Sequence, residues 1–429
     1  MNVFTIYITY CLVILHNVNT HELQVESIKS VPIIKTEHPY LTYTIPLLIG
    51  STTTTTTVYQ NITVQIDTTS PISALPSSTT LSSSSTPLNQ TICTPTLTTT
   101  LCGSLLSDNI SLNFNTLLSS FTFLHPTHIT PSVPFIGHLS LSYLPHPTLP
   151  STTHLLTTLK HQSIISKSIF LISNNTLYLG GIPRQFNNLA YSSCALSSSF
   201  ALDDEFKHGW LCELTHLIVD STNSNFTQHA VALYNTKVLF ATAHPYITVP
   251  MYHYKLFKEE FITKHYVTEC KERNSEHDEL YWVCEPTEKF AFINIRFVIG
   301  GYVYGFNSKK LFRKGDNGKM EMVIRFKKEN DRVWVFGVPF FKEYTVVFNG
   351  EDKEIGFYGG DKEDISAMGE EYMNYNGSSN TSNYYSTGML ICVAVLVVLS
   401  VFIVSSVFSL WKGIVVKKEG KLIKNELAH

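Results

Sequence analysis

The chain has 429 residues, of which 44% are hydrophobic and 15% are charged, and its formal net charge at pH 7 is −3. This amount of apolar material is enough for one large domain or two medium ones. The near-neutral charge argues against a nucleic-acid partner. Only ten charged residues lie between His21 and Phe200, so hydroxyl groups or attached sugar must solvate the surface of that half of the chain.

The N terminus begins with an apolar run from Val3 to Leu15. The run is too short to span a bilayer comfortably and a polar stretch follows it, which favours a signal peptide over residues 1–20, with cleavage near Thr20. A buried strand is the alternative, because no Lys or Arg precedes the run and no small-x-small cleavage motif follows it.

The pattern that follows is typical of β-strands. Short runs alternate between apolar and polar residues, or are rich in β-branched and aromatic residues, and turn residues bound them. The predicted strands are Tyr43–Ile49, Tyr59–Ile66, Ser166–Ile172, Leu214–Val219, Phe292–Val303, Met322–Phe326, Arg332–Phe336 and Tyr344–Phe348. Thr52 to Thr57 is predicted to be a hairpin tip, and only short helices are expected, at 151–162 and 251–268. The predicted fold class is mainly β.

The C-terminal part carries the signals of a membrane anchor. Residues 361–388 form a polar stretch with little to bury, which indicates a stalk. Met389 to Trp411 contains no charge and is long enough to cross the hydrocarbon core as a helix. The lysine-rich residues 412–429 would be cytoplasmic by the positive-inside rule. We therefore expect a single-pass type I protein of the secretory pathway or cell surface, with its main domain luminal or extracellular.

Seven Asn-x-Ser/Thr sequons agree with a secretory route. One of them, Asn61, lies within a predicted strand. The other six are candidate glycosylation sites, of which the last two, in the stalk, are the strongest: Asn89, Asn109, Asn174, Asn225, Asn376 and Asn380.

The cysteines point to disulfides. Cys11 and Cys392 fall in the predicted signal peptide and membrane span, which leaves an even luminal set of six. Proximity along the chain favours three pairs among the 15 possible pairings: Cys93–Cys102, Cys194–Cys212 and Cys270–Cys284. No CxxC or Cys/His cluster has the spacing of a zinc site, so no metal is expected.

One strand and the turn after it resemble the first active-site segment of pepsin-like aspartic proteases, peptidase family A1. In that family a hairpin leads into two hydrophobic residues, Asp-Thr-Gly-Ser, and then a Pro-Ser. This chain has Val64-Gln65-Ile66-Asp67-Thr68-Thr69-Ser70, followed by Leu75-Pro76-Ser77. The resemblance assigns Asp67 as the catalytic residue of the first lobe.

Three further segments match the family in its order. Phe135-Ile136-Gly137-His138-Leu139 is similar to the strand that crosses behind the first catalytic loop, and Asn174 to Pro183 is similar to the strand and Gly-Gly turn that close the first lobe. Val335 to Phe341, with the segments Tyr344–Phe348 and Ile355–Phe357, resembles the C-terminal signature. The resemblance implies a bilobal fold with an interlobe cleft, an N-terminal lobe over 21–183 and a C-terminal lobe over 184–360.

The second catalytic position departs from the family. The best match to the second Asp-Thr-Gly loop is Val238 to His244, which places Ala241 where the second Asp should be. The glycines that the family has after each Asp-Thr are Thr69 and Ala243 here. Thr68 and Thr242 match the residues that brace the two loops against each other. No tyrosine lies between Tyr59 and Tyr143, so the family's flap tyrosine has no counterpart.

A second acid could come from elsewhere. Leu217 to Thr222 imitates a catalytic loop and would supply Asp220, but no glycine follows and the downstream strand and proline fit poorly. His244 and His253 lie near the degenerate loop in a chain with 17 histidines, so we interpret them as chance neighbours. No GxSxG, HExxH or P-loop motif supports another enzyme class, and no cofactor is expected.

The sequence therefore leaves three hypotheses. We favour a membrane-anchored, A1-like glycoprotein that has lost its catalytic pair and binds a peptide or protein in the cleft, as the family's non-catalytic plant xylanase inhibitors and seed-globulin-like proteins imply. The second is an active aspartic endopeptidase that uses Asp67 with an atypical acid such as Asp220. The third is a surface coat or adhesion protein.

Overall fold

The computed structural model describes the chain in stretches between residues 28 and 362. The stretches are 28–36, 42–52, 57–76, 78–79, 85–97, 99–112, 116–130, 135–173, 175–197, 206–221, 229–233, 236–259, 270–275, 278–285, 293–315, 318–327 and 333–362. They belong to the first of two units, Met1–Tyr372, and the second unit, Met373–His429, lies outside them. The predicted signal peptide, the membrane span, the basic tail and all but the first two residues of the stalk are outside the described residues. No described helix is long and apolar enough to cross a bilayer.

The described residues of the N-terminal half supply ten strands. These are β1 (Lys29–Pro32), β2 (Ile34–Thr36), β3 (Thr42–Thr52), β4 (Thr57–Asp67), β5 (Thr86–Pro95), β6 (Thr100–Leu112), β7 (Thr116–Thr130), β8 (His138–Ser140), β9 (Ile169–Ser173) and β10 (Thr176–Leu179). Strands β2–β8 form a seven-stranded sheet, which we call the first lobe. Strand β3 pairs with β4 out to Thr52 opposite Thr57, and residues 53–56 of the predicted hairpin tip are outside the described residues. Short helical segments follow: 3-10 turns Ser151–Thr153 and Arg184–Phe186, and α1 (Leu155–His161).

Fifteen more strands lie in the part of the C-terminal half that the structure describes. These are β11 (Tyr191–Ala195), β12 (Leu211–Ser221), β13 (His229–Ala232), β14 (Lys237–Phe240), β15 (Ile247–Pro250), β16 (Cys270–Asn274), β17 (Leu280–Cys284), β18 (Ile293–Ile299), β19 (Tyr302–Asn307), β20 (Phe312–Lys314), β21 (Met320–Met322), β22 (Ile324–Lys327), β23 (Val333–Phe336), β24 (Thr345–Asn349) and β25 (Glu354–Tyr358). Strands β12–β23 form a twelve-stranded sheet, which we call the second lobe. The helical segments are a 3-10 turn (Met251–His253), α2 (Tyr254–Leu256), α3 (Ser308–Leu311) and α4 (Val338–Glu343).

A third sheet joins the two halves of the chain. Its order is β1-β10-β9-β24-β25-β11, so three strands from each half meet at the β9–β24 pair. The order is symmetric, because β1, β10 and β9 mirror β11, β25 and β24. The predicted boundary between residues 183 and 184 falls between β10 and β11. The result is the mainly β, two-lobed architecture that the sequence predicts.

Two strand predictions were wrong in detail. The single run Phe292–Val303 is a hairpin, because Gly300 and Gly301 form a tight turn with φ of 58° and 79° between β18 and β19. A Cβ on Gly300 would also lie 2.4 Å from the Ser193 carbonyl oxygen, so close backbone approach requires glycine there. Met322–Phe326 is divided between β21 and β22 at Val323, whose N–H bonds instead to the Leu311 carbonyl.

The three proposed disulfides are all formed. Cys93–Cys102 crosses the β5–β6 hairpin, and Cys270–Cys284 crosses the β16–β17 hairpin. Cys194–Cys212 ties β11 of the shared sheet to β12 of the second lobe. Pairing by proximity worked because each pair lies on neighbouring strands or consecutive elements.

Candidate active site

Asp67 is the last residue of β4, at the edge where this strand pairs in parallel with β8. Val64 and Ile66 of the same strand are completely buried, which fixes the strand and delivers the carboxylate to the loop that follows. Asp67 itself is 3% exposed. The Leu141 N–H donates to the Asp67 carbonyl oxygen at 2.7 Å and holds the turn in place.

The Asp67 carboxylate is held by its own loop. Its Oδ1 accepts hydrogen bonds from the Thr69 N–H at 2.8 Å, the Thr69 hydroxyl at 2.6 Å and the Ser70 N–H at 3.2 Å. The described residues offer no hydrogen bond to Oδ2, and no second carboxylate contacts Asp67 among them. The arrangement is that of a single loop carboxylate with one oxygen fixed by three donors.

Thr68 and Thr242 join the two lobes at this point. The Thr68 hydroxyl donates to the Phe240 carbonyl oxygen at 2.6 Å and accepts from the Thr242 N–H at 3.1 Å. The Thr242 hydroxyl donates back across the interface to the Ile66 carbonyl oxygen at 2.7 Å. Both threonines are fully buried. These reciprocal bonds place the loop after β14 directly against the loop after β4.

Ala241 is the second-lobe counterpart of Asp67. It follows β14, which pairs in parallel with β23, just as Asp67 ends β4, which pairs in parallel with β8. Ala241 also precedes Thr242 as Asp67 precedes Thr68. Its N–H donates to the Phe336 carbonyl oxygen at 3.0 Å, and the residue is fully buried. The position opposite Asp67 therefore carries a methyl group.

The strand behind the first loop lies three residues later than predicted. Ser140 of β8 is in register with Asp67, whereas Gly137 precedes the strand with a φ of 82°. A Cβ on Gly137 would lie 2.6 Å from Pro76 Cδ, so this glycine serves a close packing contact instead. The Ser140 hydroxyl donates to the Ser70 carbonyl oxygen and supports the Asp67 loop from behind.

The residues that replace the two expected glycines are not strained. Neither Thr69 nor Ala243 adopts a positive φ. Thr69 instead supplies the shortest hydrogen bond to Asp67, and the Ala243 carbonyl oxygen accepts from Gln65 Nε2 at 3.1 Å, a further bond between the lobes. Sequence reasoning missed both contacts, although a threonine two residues after an aspartate is a known turn spacing.

The turn between β5 and β6 reaches the second lobe. Leu97, in this turn, is half-buried and packs against what we call the second-lobe apolar cluster: Phe206, Leu211, Leu239, Ala241, Val333 and Val335. The hairpin is therefore docked on the group of side chains that contains Ala241. No motif indicated this contact, because it joins residues far apart in the sequence.

Comparison with known proteins decides the family. A family model described as eukaryotic aspartyl protease matches residues 42–358. The chain belongs to this family. A search of curated proteins finds no match.

Solved structures with the aspartyl protease fold are similar to this chain. An aspartic proteinase from Irpex lacteus has a TM-score of 0.59 and 13% sequence identity, and the match covers 79% of this chain and 99% of that one. Basic 7S globulin from soybean has a TM-score of 0.58 and 13% identity, with 78% and 96% covered. At this identity the likeness establishes the fold alone.

Asp220 and Ala241 lie toward opposite ends of β12. Leu211 begins β12 and pairs with Leu239, two residues before Ala241. Asp220 is nine residues further along β12, opposite Asn294 of β18. At about 3.3 Å per residue, roughly 30 Å of strand separates it from the Ala241 end.

The two histidines near the second loop are buried. His244 Nε2 lies 2.7 Å from the Thr248 hydroxyl, and burial, aided by Lys327, lowers its pKa to about 3. His253 packs against Tyr252 and Trp334, and burial lowers its pKa to about 4. Both are neutral at physiological pH, as packed side chains require. Within the described stretches no three His, Cys, Asp or Glu side chains are grouped so that they could hold a metal ion.

The sequons that the structure describes differ in exposure. Asn89 is exposed on β5, and Asn61 lies in β4 as predicted, with an exposed side chain. Asn109 is half-buried in β6, and its side-chain oxygen accepts from the Ser120 N–H at 3.1 Å. The remaining candidates lie outside the described residues: Asn174, Asn225, Asn376 and Asn380.

Proposed function

We propose that this chain is a member of the aspartyl protease family that binds a peptide or protein segment in its interlobe cleft without hydrolysing it. Ala241 carries the proposal. Hydrolysis in this family requires two carboxylates close enough to share a proton, one as general base and one as acid. The Thr68–Thr242 bonds hold the two loops together, yet only Asp67 of the first loop brings an acid.

The loops and bracing threonines that the site retains support a binding role. The loops, their bracing threonines and the hairpin that covers them are all folded around one another, so the cleft is preorganised although one acid is missing. Pre-formed concave sites between lobes are the common location of ligand binding. The distance of Asp220 along β12 argues against the alternative of an endopeptidase with an atypical pair.

We further propose that the protein is a type I membrane glycoprotein. The uncharged segment Met389–Trp411, the lysines after it and the apolar run Val3–Leu15 support anchoring and secretion. Three disulfides in one chain support an oxidising compartment. The peptide-binding lobes would then face the lumen or the cell exterior.

Hydrogen exchange with a ligand pool tests the binding role. The full-length chain is incubated with a mixed pool of random peptides, and exchange is followed together with mass spectrometry of the peptides. We expect slower exchange at the β5–β6 turn and at Ala241–His244, with every peptide intact. Unchanged exchange at both places, or protection confined to a distant surface, would contradict cleft binding.

A further inference from the structure

The strands that follow the Ala241 loop surround a buried guanidinium. Arg325 lies on β22, where it is in register with Thr248 of β15 on one side of the strand. On the other side, β22 pairs with β17, and Leu280 of β17 lies opposite Phe326. The Arg325 side chain is 3% exposed. The Arg325 guanidinium is therefore buried beneath the surface that β15, β22 and β17 form.

Two tyrosine rings enclose this guanidinium. Arg325 Cζ lies 3.4 Å from the centre of the Tyr281 ring and 4.3 Å from the centre of the Tyr246 ring. Cation–π contacts of this kind stabilise the charge from above and below its plane. They leave the N–H donors, which point outward within the plane, still in need of acceptors.

Those donors are not satisfied by the described residues. Nε and Nη1 of Arg325 are buried and have no hydrogen-bond partner. The nearest carboxylate oxygen, on Glu321, is 3.8 Å from Nη2, beyond hydrogen-bond range, and the same oxygen accepts from Arg313 at 3.0 Å. One carboxylate thus faces two guanidinium groups. A buried cation with free donors is costly unless an anion or water meets it.

A second unpartnered nitrogen belongs to His244, in the loop that leads into β15. His244 Nδ1 is buried without a partner, while Nε2 of the same ring contacts Thr248, the residue in register with Arg325. The side chains at the rim of this surface are reachable from solvent: Tyr246 and Tyr281 are half-buried, and Arg313 and Glu321 are 30% and 20% exposed. A small planar anion can approach Arg325 past this rim.

We propose that Arg325, between Tyr246 and Tyr281, is the floor of a carboxylate-binding subsite that takes an acidic side chain or the C-terminal carboxylate of a bound peptide. The Arg325 charge, which shares the Glu321 carboxylate with Arg313, supplies attraction, the free N–H groups supply donors, and the two tyrosine rings favour a planar group. Tyr246 lies five residues beyond Ala241, so the subsite adjoins the proposed cleft. Its assignment to a peptide rests on the proposed function.

Small carboxylates test the subsite without a peptide. Melting temperature of the full-length chain is measured against N-acetylglycine (terminal carboxylate), N-acetylglutamate α-amide (side-chain carboxylate) and neutral N-acetylglutamine α-amide, at constant ionic strength. We expect saturable stabilisation by at least one carboxylate and none by the neutral amide. The stronger carboxylate identifies the source that the site prefers.

Two variants make the test specific. Arg325→Met removes a buried cation whose Nε and Nη1 have no hydrogen-bond partner, so the variant should fold with unchanged or higher melting temperature, and its affinity for the carboxylate should fall on the order of tenfold. Glu321→Gln removes the competing carboxylate and should tighten binding. Arg184→Met, at an exposed arginine far along the chain, is the control and should match wild type.

The outcomes separate this subsite from the cleft proposal. The subsite is overturned if carboxylates raise the melting temperature of wild type and Arg325→Met equally. It is also overturned if no carboxylate raises the melting temperature of wild type or Glu321→Gln, and water is then the partner of Arg325. If Arg325→Met does not fold, the Glu321→Gln result decides. Carboxylate binding that persists while the peptide pool fails to protect the cleft would refute only the peptide assignment.

Discussion

Buried histidines set the pH dependence of stability. Burial lowers the pKa of His253 to about 4 and that of His244 to about 3, whereas a histidine in the unfolded chain titrates near 6.5. Between these values the unfolded chain binds protons that the folded chain does not. The free energy of unfolding is therefore greatest above about pH 6.5 and falls as the pH falls, by up to about 1.4 kcal/mol per pH unit for each such histidine.

His253→Phe tests this at one position. The phenyl ring can keep the packing on Tyr252 and Trp334 but cannot take a proton. We expect the loss of unfolding free energy between about pH 7 and about pH 5 to shrink by about 2 kcal/mol, measured by denaturant titration. His161→Gln, at the exposed end of α1, controls for the loss of a histidine. Identical pH dependence in wild type and His253→Phe would contradict the assignment.

At the residue scale the sequence predicted the key positions but not their contacts. Asp67 and its two neighbours carry a local motif, and Ala241 and Thr242 follow from the second, weaker copy of it. The role of Thr69 was not predicted because the motif marks that position only as a missing glycine. Arg325 could not be found at all, since its burial depends on strands that only the folded sheet brings together.

At the element scale the β5–β6 hairpin is the least conventional part of the site. The family's flap tyrosine has no counterpart, and Leu97 instead anchors the hairpin on the second-lobe apolar cluster. Disulfide Cys93–Cys102 lies close to the turn and stiffens it. The hairpin is therefore held to the second lobe by an apolar contact at its turn.

Leu97→Asp should undock the hairpin. Placing a charge against the apolar cluster is expected to cost about 1–2 kcal/mol of unfolding free energy and to speed hydrogen exchange at the β5–β6 turn. Leu88→Asp is the matched control, because Leu88 is on the same hairpin but 41% exposed. Equal effects of the two substitutions would show that the Leu97 contact does not hold the hairpin.

Strands with strong alternation were predictable from the sequence. Strand ends that depend on a turn within a longer run were predicted less well. The hairpin β3–β4 and strands β23 and β24 follow from alternation and β-branched residues. The β18–β19 hairpin was missed because the strand-like pattern continues on both sides of its tip, Gly300-Gly301. The pairing of β9 with β24 in the shared sheet joins residues about 175 positions apart, which local pattern cannot reveal.

At the scale of the whole molecule, the proposed anchor lies outside the strands that the structure describes. A chain truncated after residue 388 keeps every strand that the structure describes and loses Met389–Trp411. We expect expressed full-length chain to remain in the membrane fraction after alkaline carbonate washing, and the truncated chain to appear in the medium with sensitivity to a peptide N-glycosidase. Release of both forms, or glycosidase-insensitive cytosolic chain, would contradict the proposed topology.

The central claim is that a lone acid in a two-lobed aspartyl protease fold does not turn over peptides. Its most direct measurement is cleavage of a diverse peptide pool between about pH 3 and pH 7, quantified by mass spectrometry for wild type and Asp67→Ala in parallel. We expect no cleavage above background in either protein at any pH. Pepstatin-sensitive cleavage by wild type that disappears in Asp67→Ala would contradict it.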